Sequence, residues 1–106
     1  MEMELFLYDS PDFKNFLKDN PHEAGEVRFL ESIAQEGMQA IDIGANIGIT
    51  TVAIAKRIRG VGKLYSFEPV PEYSNILKEN ISSNGLENVK VYELAVTDQV
   101  GRVPLY

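Results

Sequence analysis

The sequence predicts an α/β fold built on a parallel sheet, and three observations lead there. Short apolar runs of strand length, around Ile41, Tyr65 and Val91, alternate with longer segments whose apolar residues recur every three or four positions. Glycine or proline punctuates the junctions, at Gly44, Gly60, Gly62, Pro69, Pro71 and Gly85. Strands separated by helix-length segments are joined by right-handed crossovers, which make neighbouring strands parallel.

The first 21 residues are the least regular. Leu5-Phe6-Leu7-Tyr8 reads as a short strand, Asp9-Ser10-Pro11-Asp12 as a turn or helix start, and Phe13, Phe16 and Leu17 as one face of a helical turn or two. Asn20-Pro21 breaks that segment. A helix is expected from about Glu23 to Glu36, with Val27, Leu30, Ile33 and Ala34 on one stripe. Gly37 stops it, and Glu23 and Glu26 sit in its first turn, where the helix dipole favours acids. Ala40 to Ile43 reads as a buried strand. The next helix spans Ile47 or Gly48 to about Arg59 and presents Ile47, Thr51, Ile54, Ala55 and Ile58. Its basic end, Lys56-Arg57-Ile58-Arg59, is a solvated helix terminus. Lys63 to Glu68 is a second strand. Pro71 suits the first position of a third helix, which runs to Ser83 with Tyr73, Ile76, Leu77 and Ile81 on its face. Asn84-Gly85 ends it, Val89 to Leu94 is a third strand, and Val103 to Tyr106 is a candidate fourth.

Composition narrows the function. The chain has 106 residues, 44% hydrophobic and 25% charged, which fits one soluble domain with a thin margin of buried surface. Its net charge of −6 argues against a general binder of nucleic acid or anionic membranes, which needs a positive field. Without Cys there is no thiol chemistry, and a lone His22 builds no multi-histidine metal site. The start Met1-Glu2-Met3-Glu4 lacks the basic residues of a signal peptide, and the apolar runs are far shorter than the roughly 20 residues of a membrane span. The expected location is the cytoplasm, with neither membrane nor nucleic acid as partner and no metal.

In open α/β sheets, ligands bind beyond the carboxyl ends of the strands. That rule selects the loop after Ile43, the second strand's end at Glu68, and the third strand's end at Leu94-Ala95. The first loop reads Asp42-Ile43-Gly44-Ala45-Asn46-Ile47-Gly48. Gly44 permits a sharp turn and close backbone approach, and Gly48 permits tight packing of the new helix against the strand. The free N–H groups of that helix suit an anionic group such as a carboxylate. A plain β–α turn that happens to contain glycine is the alternative. The dinucleotide pattern G-x-G-x-x-G fails, because Asn46 and Ile49 stand where glycines are needed, and no G-K-[ST] phosphate loop occurs. Glu68 ends the second strand 20 residues after Gly48, where an acid can accept hydrogen bonds from both hydroxyls of a ribose.

These residues, with Phe67-Glu68-Pro69, Asn80, Asn84-Gly85, Glu93-Leu94-Ala95-Val96 and Asp98, resemble the FkbM-type methyltransferases. That family belongs to the class I, S-adenosylmethionine-dependent enzymes. The resemblance covers about residues 38–106. It implies a partial Rossmann-like three-layer fold, a mostly parallel sheet in the order 3-2-1, and absence of the family's C-terminal strands. Residues 1–37 would be an N-terminal segment and helix, and 38–106 the cofactor-binding half. The resemblance further implies that Asp42, Gly44, Ala45, Asn46 and Gly48 line the methionine end of S-adenosylmethionine and that Glu68 holds its ribose. Pro69 would lie near the adenine, flanked by Ala95 and Val96. The implied reaction is methyl transfer to an oxygen or nitrogen of a small molecule. A nicotinamide-dependent oxidoreductase fragment and a non-catalytic interaction module are the rival readings. With the first strand's neighbour missing, its edge would be open to a second copy of the chain unless Leu5 to Tyr8 covers it.

Overall fold

The computed structural model describes residues 4–102 and 104. Its elements in chain order are α1 (Pro11–Asp19), α2 (Pro21–Ile33), β1 (Gln39–Ile43), α3 (Ile49–Ile58), β2 (Lys63–Phe67), α4 (Pro71–Ser83) and β3 (Val89–Tyr92). Ser10 caps α1, its Oγ accepting from the Phe13 N–H at 3.1 Å, and Pro11 occupies the first turn. Asn20-Pro21 separates α1 from α2. The proline ring disfavours helical backbone at Asn20 (φ −131°, ψ 74°), yet Pro21 itself opens the next helix, two residues before the expected start. α2 then stops at Ile33, and Gly37 sits in the following turn at φ +83°.

The strands pair in the order β1-β2-β3, all parallel. Gln39 to Ile43 are opposite Lys63 to Phe67, and Leu64 to Phe67 are opposite Val89 to Tyr92. The sequence reading of the sheet is thus borne out in order and direction. One face, with Ala40, Leu64, Val89 and Val91, packs against α3 and α4. The other carries Ile41, Ile43, Tyr65, Phe67 and Tyr92, with Ile41 67% and Ile43 63% exposed. In this partial three-layer fold the described helices thus cover one face of the sheet. Each right-handed crossover steps in the same direction, from β1 to β2 to β3, and so lays its helix on the same face. A helix reaches the opposite face only where the strand order reverses, and the described strands contain no reversal.

The core is three small clusters on the helix side. Phe6, Phe13 and Phe16 stack over Val52; Ala34, Ala55, Ile58 and Leu64 join α3 to β2; Ala45 meets Leu77 and Ile81 of α4. Three expectations are corrected. Leu5 to Tyr8 is not a strand and does not lie on the β1 edge; its backbone is held by the side chains of Asn80 in α4 and of Asn84, the residue that caps that helix. The buried stripe of α4 is Ser74, Leu77, Asn80 and Ile81, with Tyr73 exposed, because Asn80 is a buried polar residue that the apolar periodicity passes over. β3 ends at Tyr92, not Leu94. The candidate strand at 103–106 falls largely outside the described residues. No helix among the described residues is long and apolar enough to cross a membrane.

Candidate functional site

Because the strands are parallel, their carboxyl ends share one edge of the sheet. There the β1–β2 ladder runs on into the loop: the Gly44 and Ala45 N–H groups both donate to the Phe67 carbonyl, at 2.9 and 3.0 Å. The Gly48 N–H closes the turn on the Ala45 carbonyl at 3.1 Å. Positive φ occurs at alternate residues, Gly44 (+73°), Asn46 (+55°) and Gly48 (+104°). This accounts for the spacing of the motif. Glycine takes left-handed backbone without a Cβ penalty, and asparagine tolerates it better than most residues. A Cβ at Gly44 would meet no atom within 4 Å, so the space before it is open. A Cβ at Gly48 would stand 2.7 Å from Leu77 Cδ1. Gly48 thus admits close approach to α4, rather than the helix–strand contact expected from sequence.

Glu68, 5% exposed, ties the strand ends together. Its Oε1 accepts from the Asn46 N–H at 2.8 Å and its Oε2 from the Val70 N–H at 2.9 Å. Its own N–H donates to the Tyr92 carbonyl at 3.0 Å. The glycine loop, the turn after β2 and the end of β3 therefore meet at one carboxylate. Asp42 stands one strand away. Its Oδ2 accepts from the Thr51 hydroxyl at 2.7 Å and the Thr50 hydroxyl at 3.2 Å, and Thr51 Oγ1 lies 3.4 Å from Ser66 Oγ. Burial raises the Asp42 pKa above the ordinary carboxylate range; the two threonine hydrogen bonds oppose the shift, and the charge of Glu68 adds to it. The sequence singles out neither Thr50 nor Ser66, and it places Thr51 only on the helix face, not beside Asp42.

A cavity of about 300 Å³ opens over the loop. Residues 44–50 form one wall, and Phe16, Glu23 and Glu26 from α1 and α2 form the other. The first turn of α3 has no side-chain cap, so its amides are available to a ligand. The lining thus combines the uncapped start of α3 with two acidic residues, of which Glu26 has its Oε1 3.2 Å from His22 Nε2. Sequence reading took Glu23 and Glu26 only as dipole-favoured acids, since their place on this wall depends on how α2 packs against α3. A second cavity, about 410 Å³, shares Glu26, Gly44 and Thr50 with the first and adds Asp42. Pro69 and Ala95 line a third, about 590 Å³, at the ends of β2 and β3. Val96 lies on none of these walls and is half exposed. The site residues on the loop are thus gathered with Asp42 and Glu68, whereas Pro69 and Ala95 belong to a neighbouring cavity. Among the described residues, no group of His, Asp and Glu is arranged to hold a metal ion.

A parallel sheet in this order, with a glycine loop at its carboxyl edge, is a Rossmann-like arrangement, and its structural neighbours include methyltransferases. An S-adenosylmethionine-dependent O-methyltransferase from Thermotoga maritima superposes with a TM-score of 0.59 at 22% identity, over 87% of this chain and 31% of that one. The TYW2 protein of M. jannaschii, solved in complex with AdoMet, gives 0.61 at 32% identity, over 69% and 32%. Within that class the methyltransferase FkbM domain matches residues 42–106, more than half of the chain, and the chain belongs to this family. It is also similar to the ribosomal protein L11 methyltransferase of Caldanaerobacter subterraneus subsp. tengcongensis, 33% identical over 67 residues, which are 63% of this chain and 21% of that protein. The chain thus spans between a fifth and a third of these relatives. None of these findings supports the oxidoreductase or the interaction-module reading.

Proposed function

We propose that this chain is the S-adenosylmethionine-binding half of a methyltransferase that acts on an oxygen or nitrogen of a small molecule. The observation that carries the reading is the loop at 44–48, left-handed at every second residue, uncapped at α3 and locked to Glu68 at the strand ends. These residues fit the group. The α3 amides would hold the methionine carboxylate, and Glu23 and Glu26 face the cavity where its ammonium would lie. Asp42 lines the adjoining space. Each Glu68 oxygen has lone-pair capacity beyond its one backbone bond, which leaves room for the ribose hydroxyls. Pro69 and Ala95 would border the adenine. When bound, S-adenosylmethionine supplies an electrophilic methyl group on a sulfonium. The residues' task is to orient it, with acceptor and methyl in line at roughly 3 Å.

Isothermal calorimetry with S-adenosylhomocysteine and, separately, NAD tests the reading. Binding of S-adenosylhomocysteine, lost in Gly44→Val, is the expected result. Binding of NAD alone would overturn it.

A further inference from the structure

Asn80 lies in the last turn of α4 and Asn84, four residues on, is its C-cap, so their amides lie on the same side. The segment at residues 4–8 runs beside them. Asn80 Oδ1 accepts from the Phe6 N–H at 3.0 Å, and its Nδ2 donates to the Glu4 carbonyl at 2.7 Å. Asn84 Oδ1 accepts from the Tyr8 N–H at 2.7 Å, and its Nδ2 donates to the Phe6 carbonyl at 2.9 Å. Residues 4, 6 and 8 present their backbone groups to one side, as a strand does to its neighbour. Two side-chain amides stand in for that neighbour. The remaining Nδ2 hydrogen of Asn80 goes elsewhere, to the Ile47 carbonyl in the glycine loop at 2.7 Å.

We infer that Asn80 is a positioning residue for the cofactor loop, and that docking of segment 4–8 and ligand binding at 44–48 strengthen each other through it. The second half of this inference rests on the function proposed above. The peptide unit is planar, so holding the Ile47 carbonyl also aims the Gly48 N–H. Gly48, at φ +104°, has no Cβ to resist rotation of that unit; the bond from its own N–H to the Ala45 carbonyl restrains one side, and the Asn80 anchor on the Ile47 carbonyl restrains the other. Asn80 is fully buried. When the segment leaves, its Oδ1 and one N–H lose the protein partners that fix the amide's orientation, and the amide is free to turn towards water. The hold on Ile47 then fails. By linkage, a ligand that needs the ordered loop favours the docked segment by the same factor.

Two variants loosen the segment without touching the loop or the cavity. Asn84→Ala removes the bonds to Tyr8 and Phe6, together with one side-chain bond to the Asn80 carbonyl, to which the Asn84 backbone N–H still donates. Leu5→Gly with Leu7→Gly leaves the backbone bonds of residues 4, 6 and 8 in place, because both leucine side chains are exposed, but gives the undocked segment more conformational freedom. Hydrogen exchange of the full chain is followed over residues 44–50 without ligand, and S-adenosylhomocysteine affinity is measured by calorimetry. Faster loop exchange and an affinity weakened about five-fold or more are expected in both variants. Saturating S-adenosylhomocysteine should also slow exchange at Phe6 and Tyr8 in the unaltered chain, which a purely structural role would not require. If Asn84→Ala fails to fold, the leucine pair decides. Loop exchange and affinity equal to the unaltered chain would overturn the inference. If the unaltered chain does not bind S-adenosylhomocysteine, the proposed function falls, and loop exchange in the variants still decides whether the segment orders the loop.

Discussion

Replacing Glu68 with Gln separates a ligand contact from a structural one. Read from sequence, the change removes a ribose anchor and leaves the fold intact. The structure requires more. Both carboxylate oxygens accept backbone N–H groups, from Asn46 at 2.8 Å and Val70 at 2.9 Å, in a position 5% exposed. Gln has one oxygen, so whichever way it turns, its NH₂ faces an N–H donor. One charge-assisted hydrogen bond is lost and one buried amide is left unpaired, at a cost of about 1.5–3 kcal/mol. For a domain of this size that corresponds to a fall in Tm on the order of 10 °C. S-adenosylhomocysteine affinity should fall as well, because the loop at 44–48 loses its tie to the end of β2. Thermal unfolding followed by circular dichroism, with calorimetry on the same samples, measures both. A Tm within about 1 °C of the unaltered chain would refute the structural role of Glu68. An unchanged dissociation constant would remove Glu68 from the site.

Gly44→Ala should cost about 1–2 kcal/mol from left-handed strain alone, whereas Gly48→Ala adds the collision with Leu77 and should cost at least about 1 kcal/mol more in denaturant unfolding. Asp42 has a raised pKa in the folded chain, so the folded state holds its proton more tightly and stability falls as pH rises from the ordinary aspartate value through the raised one. Asp42→Asn removes that term; the unaltered chain should therefore gain stability relative to Asp42→Asn as pH is lowered across this window, and a pH-independent difference would contradict the assignment. The outer edge of β1 has no partner strand among the described residues, and Ile41 and Ile43 are exposed beside it. The chain as given is expected to self-associate there, with Ile41→Lys shifting the mass in light scattering towards the monomer; a monomeric unaltered chain would count against it.

Much of the site was legible because its determinants are local. Asp42-x-Gly44-x-Asn46-x-Gly48 places permissive residues at the three positions that turn left-handed, and backbone sterics act within a residue or two. Pro11, Pro21 and Pro71 each open a helix for an equally local reason, although Asn20-Pro21 was read as a break when it is a break and a start together. The cavity wall formed by Phe16, Glu23 and Glu26 was not legible. Those residues carry ordinary helical spacing, and their nearness to Gly44 arises only when α1 and α2 fold across α3.

By itself, then, the sequence determined the alternation of strands and helices, the parallel sheet, and a glycine loop at its carboxyl edge that follows neither the dinucleotide nor the P-loop pattern. Each follows from short-range rules of backbone conformation and from the handedness of crossovers. Tertiary structure alone decided where the buried polar groups found partners. Glu68 met Asn46 and Val70, Asp42 met Thr51, and Asn80 met both Ile47 and the segment at 4–8. Most of these bonds join distant parts of the chain. A buried polar atom must be satisfied, but which distant group satisfies it depends on which elements the packing brings alongside.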